Sequence, residues 1–452
     1  MSIKDRATRL RAAITLLTEA SEIVIQHWED EERDSSTKEV DRNFFIPSYE
    51  LFNARRTIQG AMGVCAELVL DPRARLMEMA AVYYEARALH IAAEARVADV
   101  LDSGDHEKGM SADDLGRRIG IKEHKIARVL RTLCSAHVFQ EVSYNHFANN
   151  VVSQVLVAND PLRAGILVMG WANYTASTKL PETLLDPVKT QSESALQTAF
   201  QAAHGTQVGY FEWMEEPIKR NDGSTQPKRE LATFGLAMWG SGRAMGWPLY
   251  YDYPWQNLGS ATVVDVGGGV GGFSLELSKI HSNLKFVIED RPAVLKQAET
   301  VWNQQAPAAL QIGRTKLLPH DFFTDQPVKN AEVYHMRYIM HDWPDEDCVK
   351  ILQAIRPAMG PNSRILISDA VMIPTCRSST ETVTPAPYPL PANYGFAHRF
   401  QNMRDLNMLT LFNGRERGPD EWKELARKAG LRVEKIWECR GYVWITEMRK
   451  GD

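Results

Sequence analysis

A histidine stands where a strand should end and a helix begin. Glu332-Val-Tyr-His-Met-Arg-Tyr-Ile-Met340 is a strand-like run. His341-Asp342-Trp343-Pro344 follows it, with Pro344 suited to a first helical position. At the carboxyl edge of a sheet, an imidazole can take a proton from a hydroxyl near neutral pH. Two distant acids can orient it. Asp369 ends Ile365-Leu-Ile-Ser-Asp369, and Glu416 lies in Asn413-Gly-Arg-Glu-Arg417, ahead of a helix near Pro419. A base steered by a carboxylate is the usual arrangement for activating a nucleophile. The plainer readings are a capping or buried polar histidine and, for Glu416, a solvated loop charge.

The co-reactant of such a base is indicated upstream. Val263-Val264-Asp265-Val266 runs into Gly267-Gly268-Gly269-Val270-Gly271-Gly272, and Phe273-Ser-Leu-Glu-Leu-Ser opens a helix. Strand, tight turn and helix form the unit that cradles a nucleotide at a helix N-terminus. Gly267, Gly269 and Gly272 satisfy G-x-G-x-x-G, a weak pattern alone. Asp265 sharpens it, because a carboxylate facing the crevice there repels a pyrophosphate and suits a ligand carrying an ammonium or sulfonium. The next strand, Lys285-Phe-Val-Ile-Glu-Asp290, ends in an acid about 20 residues past the glycines, where a ribose diol is hydrogen-bonded. These features point to S-adenosylmethionine ahead of NAD. The alternative is a tight turn that binds nothing.

The elements that must position these residues follow from hydrophobic periodicity. From Ala261 onward, strands over 261–266, 284–289, 314–318, 331–338, 364–371, 433–438 and 442–448 alternate with helices. That rhythm predicts an α/β fold with a doubly wound, Rossmann-like sheet over residues 251–452, its last two strands an antiparallel edge hairpin. Residues 1–75 read as N-terminal helices and linker. Leu10, Ile14, Leu17, Ile23 and Ile25 mark an amphipathic helix over 1–30, with a polar linker over 31–43. The run from Met77 to Glu94 is apolar on nearly every face and predicts a buried helix, against a second subunit. Residues 76–160 then form a winged-helix-like dimerisation domain. Ser111 starts one helix, Gly120 makes a turn, Lys122–Ala136 is the second helix, and Val138–Phe147 is a two-stranded wing. Such a unit can bind DNA through Lys122, Lys125, Arg128 and Arg131, but its acidic surroundings favour a structural or dimerisation role.

Residues 161–250 are connecting helices rich in aromatics and methionines, including Trp171, Tyr174, Tyr210, Trp213, Phe234 and Trp247. Core packing accounts for most of them, and some can line a pocket for a flat apolar substrate. From Thr375 to Gly395 the chain carries Pro385, Pro387, Pro389 and Pro391 and reads as a long irregular loop, either a lid or an insertion without a role.

Composition excludes other classes. A net charge of −5 over 452 residues argues against a nucleic-acid-binding surface. No apolar stretch is long enough for a membrane span. The N-terminus lacks the apolar core of a signal peptide, so a cytoplasmic location is expected. Five scattered cysteines without C-x-x-C, and histidines without ligand spacing, predict reduced thiols and no metal site.

The segments VDVGGGVGG, VIEDRP, HDFF, MRYIMHDWPDEDC, ILISDAVMIP and NGRER together resemble the S-adenosylmethionine-dependent small-molecule O-methyltransferases of plants and fungi, over roughly residues 75–450. The resemblance implies a homodimer with interlocked N-terminal helices and His341 as general base, flanked by Asp369 and Glu416. It places cofactor contacts on Gly267, Gly268 and Gly269, on Asp290 for the ribose, on Asp321 and Phe322 around the adenine, and on Arg337. Met403, Asn407 and Met408 fall on a helix walling the substrate pocket. Asp369 stands where plant members usually carry Glu, and the proline-rich loop resembles fungal members. The implied reaction is methyl transfer to a phenolic or enolic hydroxyl of an aromatic or polyketide-derived secondary metabolite. A fungal branch of the same family implies a second possibility: pericyclic or cyclising chemistry on a pyridone, with the cofactor bound as a fixed cation and not consumed.

Overall fold

The C-terminal half of the chain is built on strands whose side chains are buried on both faces, as a sheet covered by helices on each side requires. The computed structural model describes residues 2–35, 46–220, 222–377 and 384–451. Its large sheet has seven strands: β1 (Thr262–Val266), β2 (Lys285–Asp290), β3 (Thr315–Pro319), β4 (Val333–Arg337), β5 (Arg364–Asp369), β6 (Leu431–Trp437) and β7 (Trp444–Lys450). Their spatial order is β6-β7-β5-β4-β1-β2-β3. Strands β1 to β5 pair in parallel, and β7 runs antiparallel to both β5 and β6. The final hairpin lies at one edge of the sheet, as expected, with β7 paired to β5 and β6 outermost. Alternation along β1 shows why both faces are covered. Val264 and Val266 join a core with Tyr334, Met336, Ile351, Ile365 and Trp422, whereas Val263 joins another with Leu277, Phe286, Leu366 and Ile445. Strand order reverses between β1 and β4, so the crevice at their carboxyl ends is the topological switch point where ligands bind.

The chain divides into two compact units. The first is Met1–Pro72, Glu193–Ala195 and Met245–Asp452, and the second is Arg73–Ser192 and Leu196–Ala244. The N-terminal helices, expected as a region of their own, belong to the same unit as the sheet. Helix α1 (Ile3–Ser35) extends past residue 30 into the stretch expected as a polar linker, whose remainder from 36 to 43 lies outside the described residues. Helix α2 (Tyr49–Val69) is capped by the Ser48 side chain, which accepts from Leu51 N at 3.1 Å. Polar ties join this region to the hairpin: Arg56 meets Glu438 at 2.8 Å, and Arg440 donates to Pro47 O at 2.6 Å. The described part of the proline-rich loop packs here as well. Ala386 and Leu390 are buried with Ala13, Ala61, Val64 and Leu68. A Cβ on Gly60 would lie 2.7 Å from Tyr394 O, so α2 and the loop touch backbone to backbone.

In the second unit the apolar run from Met77 divides at Val82 into helices Pro72–Ala81 and α3 (Tyr83–Glu94). Within one chain its start is not buried: Leu76 and Met77 are more than 70% exposed, and Met79, Tyr83 and Tyr84 are also exposed. The described residues leave these apolar side chains uncovered. The winged-helix elements are α4 (Ala112–Ile119), α5 (Glu123–Ser135) and the antiparallel strands Phe139–Ser143 and His146–Asn149. Gly120 ends α4 at φ +73°, a conformation that favours glycine. Arg131, one of the cations of the presumed recognition face, instead grips Glu141 at 2.8 Å. The aromatics of the connecting helices pack largely on each other: Phe200 meets Tyr210 at 5.2 Å and Trp213 at 5.5 Å, edge to face.

Candidate active site

The glycine turn after β1 is shaped by close approach. Gly267 has φ +66°, and a Cβ there would lie 2.6 Å from Ile339 Cδ1 and 3.5 Å from Phe322 Cε1. Gly271, at φ +76°, is the N-cap of α6 (Gly272–Ile280), where an added Cβ would meet Ile288 and the Trp302 indole, both at 2.5 Å. Gly268 N donates to Glu289 O at 3.0 Å. Gly269 N donates to Asp290 Oδ2 at 2.8 Å, and Arg291 N to Asp290 Oδ1 at 2.7 Å. Burial raises the Asp290 pKa, opposed by these two backbone bonds. Phe322 lies against Phe323 and Trp343, while Asp321 is exposed and accepts from Phe323 N at 3.0 Å.

Asp265 does not face the crevice as expected. It is buried, its Oδ2 accepts from Ser274 Oγ at 2.6 Å, and its Oδ1 lies 3.3 Å from His335 Nδ1. His335 Nε2 in turn lies 2.9 Å from Ser368 Oγ, and its ring stacks on Phe273 at 4.0 Å. A buried carboxylate needs such partners, and here they come from the helix after the glycine turn and from the neighbouring strand β4. Asp265 therefore ties β1 to β4 and α6.

The charged cluster lies at the ends of β4 and β5. His341 sits in a short 3₁₀ turn (Met340–Asp342) and is buried. Its Nδ1 is 2.8 Å from Glu416 Oε1, and its Nε2 is 3.3 Å from Asp342 Oδ1. Burial pulls the His341 pKa down, but the carboxylates of Glu416, Asp342 and Asp369 outweigh it and push it up to about 9. Burial lifts Asp342 to about 7 against the pull of the imidazole. Burial alone would raise Glu416, yet His341 and Arg404 hold it below its ordinary value.

Asp369, expected to steer the imidazole, bonds elsewhere. Its Oδ1 accepts from Tyr338 N at 2.9 Å. Tyr338 is held at φ +59°, a left-handed conformation costing a bulky residue on the order of 1–3 kcal/mol. Its ring lies parallel to the His341 ring, 14° between planes and 5.6 Å apart. Asp369 acts on His341 through charge and through this tyrosine, and burial raises its own pKa.

The NGRER segment follows helix α7 (Arg399–Phe412), which Asn413 ends at φ +51°. Each of its next residues has a spatial reason. A Cβ on Gly414 would lie 2.1 Å from His341 O, so the loop passes directly under the histidine turn. Glu416 reaches the imidazole. Arg417 is fully buried and straps the same turn, donating to Met340 O and Trp343 O at 2.8 Å each and to Asp345 Oδ1 at 2.9 Å. Sequence reasoning assigned roles to neither Gly414 nor Arg417, although both stand in a quoted motif. It also missed Arg404, on α7, whose only sequence signal is a basic residue between two pocket-wall positions. Met408 is buried beside it, and Met403 is half-exposed on the same helix as Asn407.

The crevice fits a nucleoside bearing an amino-acid tail. Gly269 faces open space, Asp290 lies across the turn, and the buried Arg337 Nη1 has no partner among the described residues. An unpaired buried guanidinium nitrogen is costly unless an acceptor such as a ligand carboxylate meets it. No group of acids, histidines and cysteines suited to a metal occurs among the described residues, and no described helix is long and apolar enough to cross a membrane.

Residues 253–432 match the O-methyltransferase domain, and residues 77–159 match the O-methyltransferase dimerisation domain. The chain is 43% identical to O-methyltransferase gedA of Aspergillus terreus, over all of this chain and 98% of that protein. It is 41% identical to O-methyltransferase tpcA of Aspergillus fumigatus, over 98% and 96%. Among solved structures, the mitomycin 7-O-methyltransferase MmcR superposes with a TM-score of 0.65 at 26% identity, over 84% of this chain and 98% of that one. LepI in complex with S-adenosylmethionine superposes at 0.68 with 22% identity, over 96% and 100%, a likeness of fold. With its glycine crevice, reversed strand order and these relatives, the chain belongs to the S-adenosylmethionine-dependent O-methyltransferase family.

Proposed function

We propose that the enzyme methylates a phenolic or enolic hydroxyl of an aromatic or polyketide-derived fungal metabolite, with His341 as general base. The observation that carries this reading is the buried His341–Glu416 pair at 2.8 Å beside the cofactor crevice. When bound, S-adenosylmethionine supplies an electrophilic methyl and a positive charge. In the crevice, Asp290 would hold the ribose diol, Phe322 would flank the adenine, with Asp321 at the rim, and Arg337 would meet the carboxylate. Glu416 holds Nδ1, which leaves Nε2 to receive the hydroxyl proton once the substrate oxygen displaces Asp342. Met403, Asn407 and Met408 on α7 would wall the acceptor pocket. A proton taken as the oxygen attacks contributes about 10²–10⁴-fold, and positioning supplies much of the rest. The exposed apolar residues of 76–84 support a homodimer in which a second copy covers them.

The test is mass spectrometry of the purified enzyme with S-adenosylmethionine and a panel of fungal phenols and pyridone alcohols. A product heavier by one methylene with matching S-adenosylhomocysteine is expected. An isomerised or dehydrated product without S-adenosylhomocysteine would overturn the reading in favour of a cofactor retained as a cation.

A further inference from the structure

His341 faces a difficulty as a base. Three carboxylates look at it: Asp342 from its own turn, Asp369 from the end of β5 and Glu416 from the loop after α7. Each favours the imidazolium, the form that cannot accept a proton. A fourth group opposes them. Arg404, from α7, is largely buried and places Nε 2.9 Å from Glu416 Oε1, the same oxygen that meets His341 Nδ1. Its Nη2 lies 3.2 Å from Nδ1 itself. Its guanidinium covers the Tyr338 ring at 4.1 Å, on which the His341 ring is also stacked. Four elements thus converge on the imidazole, and Arg404 touches both the base and its carboxylate, whereas the buried Arg417 is spent on Met340 O, Trp343 O and Asp345.

We propose that Arg404 is a positioning residue that divides the Glu416 carboxylate between two donors and, by its fixed charge, keeps His341 able to shed the proton it must lose before each turnover. A guanidinium is suited to this because it remains charged at every working pH and offers two donors in a fixed fork. A hydrogen bond from a cation to a carboxylate weakens what that carboxylate can give another partner. A positive charge within about 4 Å of an imidazole directly disfavours the imidazolium. The stack through Tyr338 fixes the distance at which the charge acts. The inference rests on His341 being the base.

The sign of the effect is defined. The base form of His341 exists above its pKa, so activity rises with pH along that limb. Removing a neighbouring cation raises the pKa and moves the limb to higher pH. Arg404→Gln is therefore expected to shift the rising limb of kcat/KM upward by about one pH unit or more. Turnover should fall at pH 7 and recover at alkaline pH, with the cofactor Kd nearly unchanged. Arg404→Lys keeps the charge but not the fork. It should lower kcat while leaving the limb within a few tenths of a pH unit of wild type, and it serves where Arg404→Gln does not fold. A limb that stays put in Arg404→Gln, or one that climbs in Arg404→Lys, overturns the proposal, since a purely structural role lowers the rate equally at all pH values. His341→Ala separates the two readings. If that variant keeps wild-type turnover, the base assignment itself is wrong. If it is inactive while the Arg404→Gln limb stays put, only the role of Arg404 falls.

Discussion

The cofactor turn and the charged cluster lie at neighbouring strand ends but are made in opposite ways. The turn is local: ten consecutive residues, 263–272, supply strand, glycines and helix start, and a single distant acid, Asp290, closes it. The cluster is assembled from four separated segments: Tyr338–Asp342, Asp369, Arg404 and Gly414–Arg417. A local site fails one residue at a time. An assembled one depends on loops that must pass within van der Waals contact, so residues without chemistry of their own become decisive.

Substitutions can sharpen that contrast. The largest effect is expected from His341→Ala, with kcat down about 10²–10⁴-fold and cofactor affinity measured by calorimetry unchanged. In the intact enzyme, kcat/KM for S-adenosylmethionine should climb with pH towards a limb near 9, because the base form exists only above the raised His341 pKa. A flat profile between pH 6 and 9 would remove His341 from the rate-determining proton transfer. Next comes Gly414→Ala. Its Cβ would press on His341 O, and a shift of about 1 Å in the turn should cost roughly 10²-fold in kcat with little change in cofactor Kd; wild-type turnover would show that the loop can retreat freely.

Gly267→Ala should act on the other region. The left-handed φ and the Ile339 contact are expected to cost about 1–3 kcal/mol, or roughly 5- to 150-fold in cofactor Kd, leaving kcat at saturation nearly intact. If kcat falls instead, the turn and the cluster are not separable. The smallest effect is expected from Asp369→Asn. The amide oxygen can still accept from Tyr338 N, so kcat should drop less than about tenfold, and the pH limb should move down because one carboxylate has been removed. A loss as large as that expected for His341→Ala would mean that Asp369 contacts the imidazole directly during turnover.

How far the sequence could be read follows the same division. The strands were legible to within a few residues because apolar runs between turns report burial on two faces. The glycine turn closed by Asp290 was legible as a turn because its spacing is imposed by backbone geometry. Asp265 was misread: its position at a strand end is visible, but its partners Ser274 and His335 come from a helix and a neighbouring strand. The exposure of Leu76 and Met77 in one chain accords with the expectation that a second subunit covers this helix, although an apolar run alone does not state which chain does the covering.

By itself the sequence determined the doubly wound class, the place of the glycine crevice and the histidine with two candidate acids. These are consequences of periodicity and of motifs that act within a few residues. Only the tertiary structure decided which acid meets the imidazole and which meets Tyr338 N, that β7 pairs with β5 and leaves β6 outermost, and that Arg404 shares Glu416 with His341. Hydrogen bonds and buried charges are settled over about 3 Å, and residues far apart along the chain come within that distance only when helices and strands have packed.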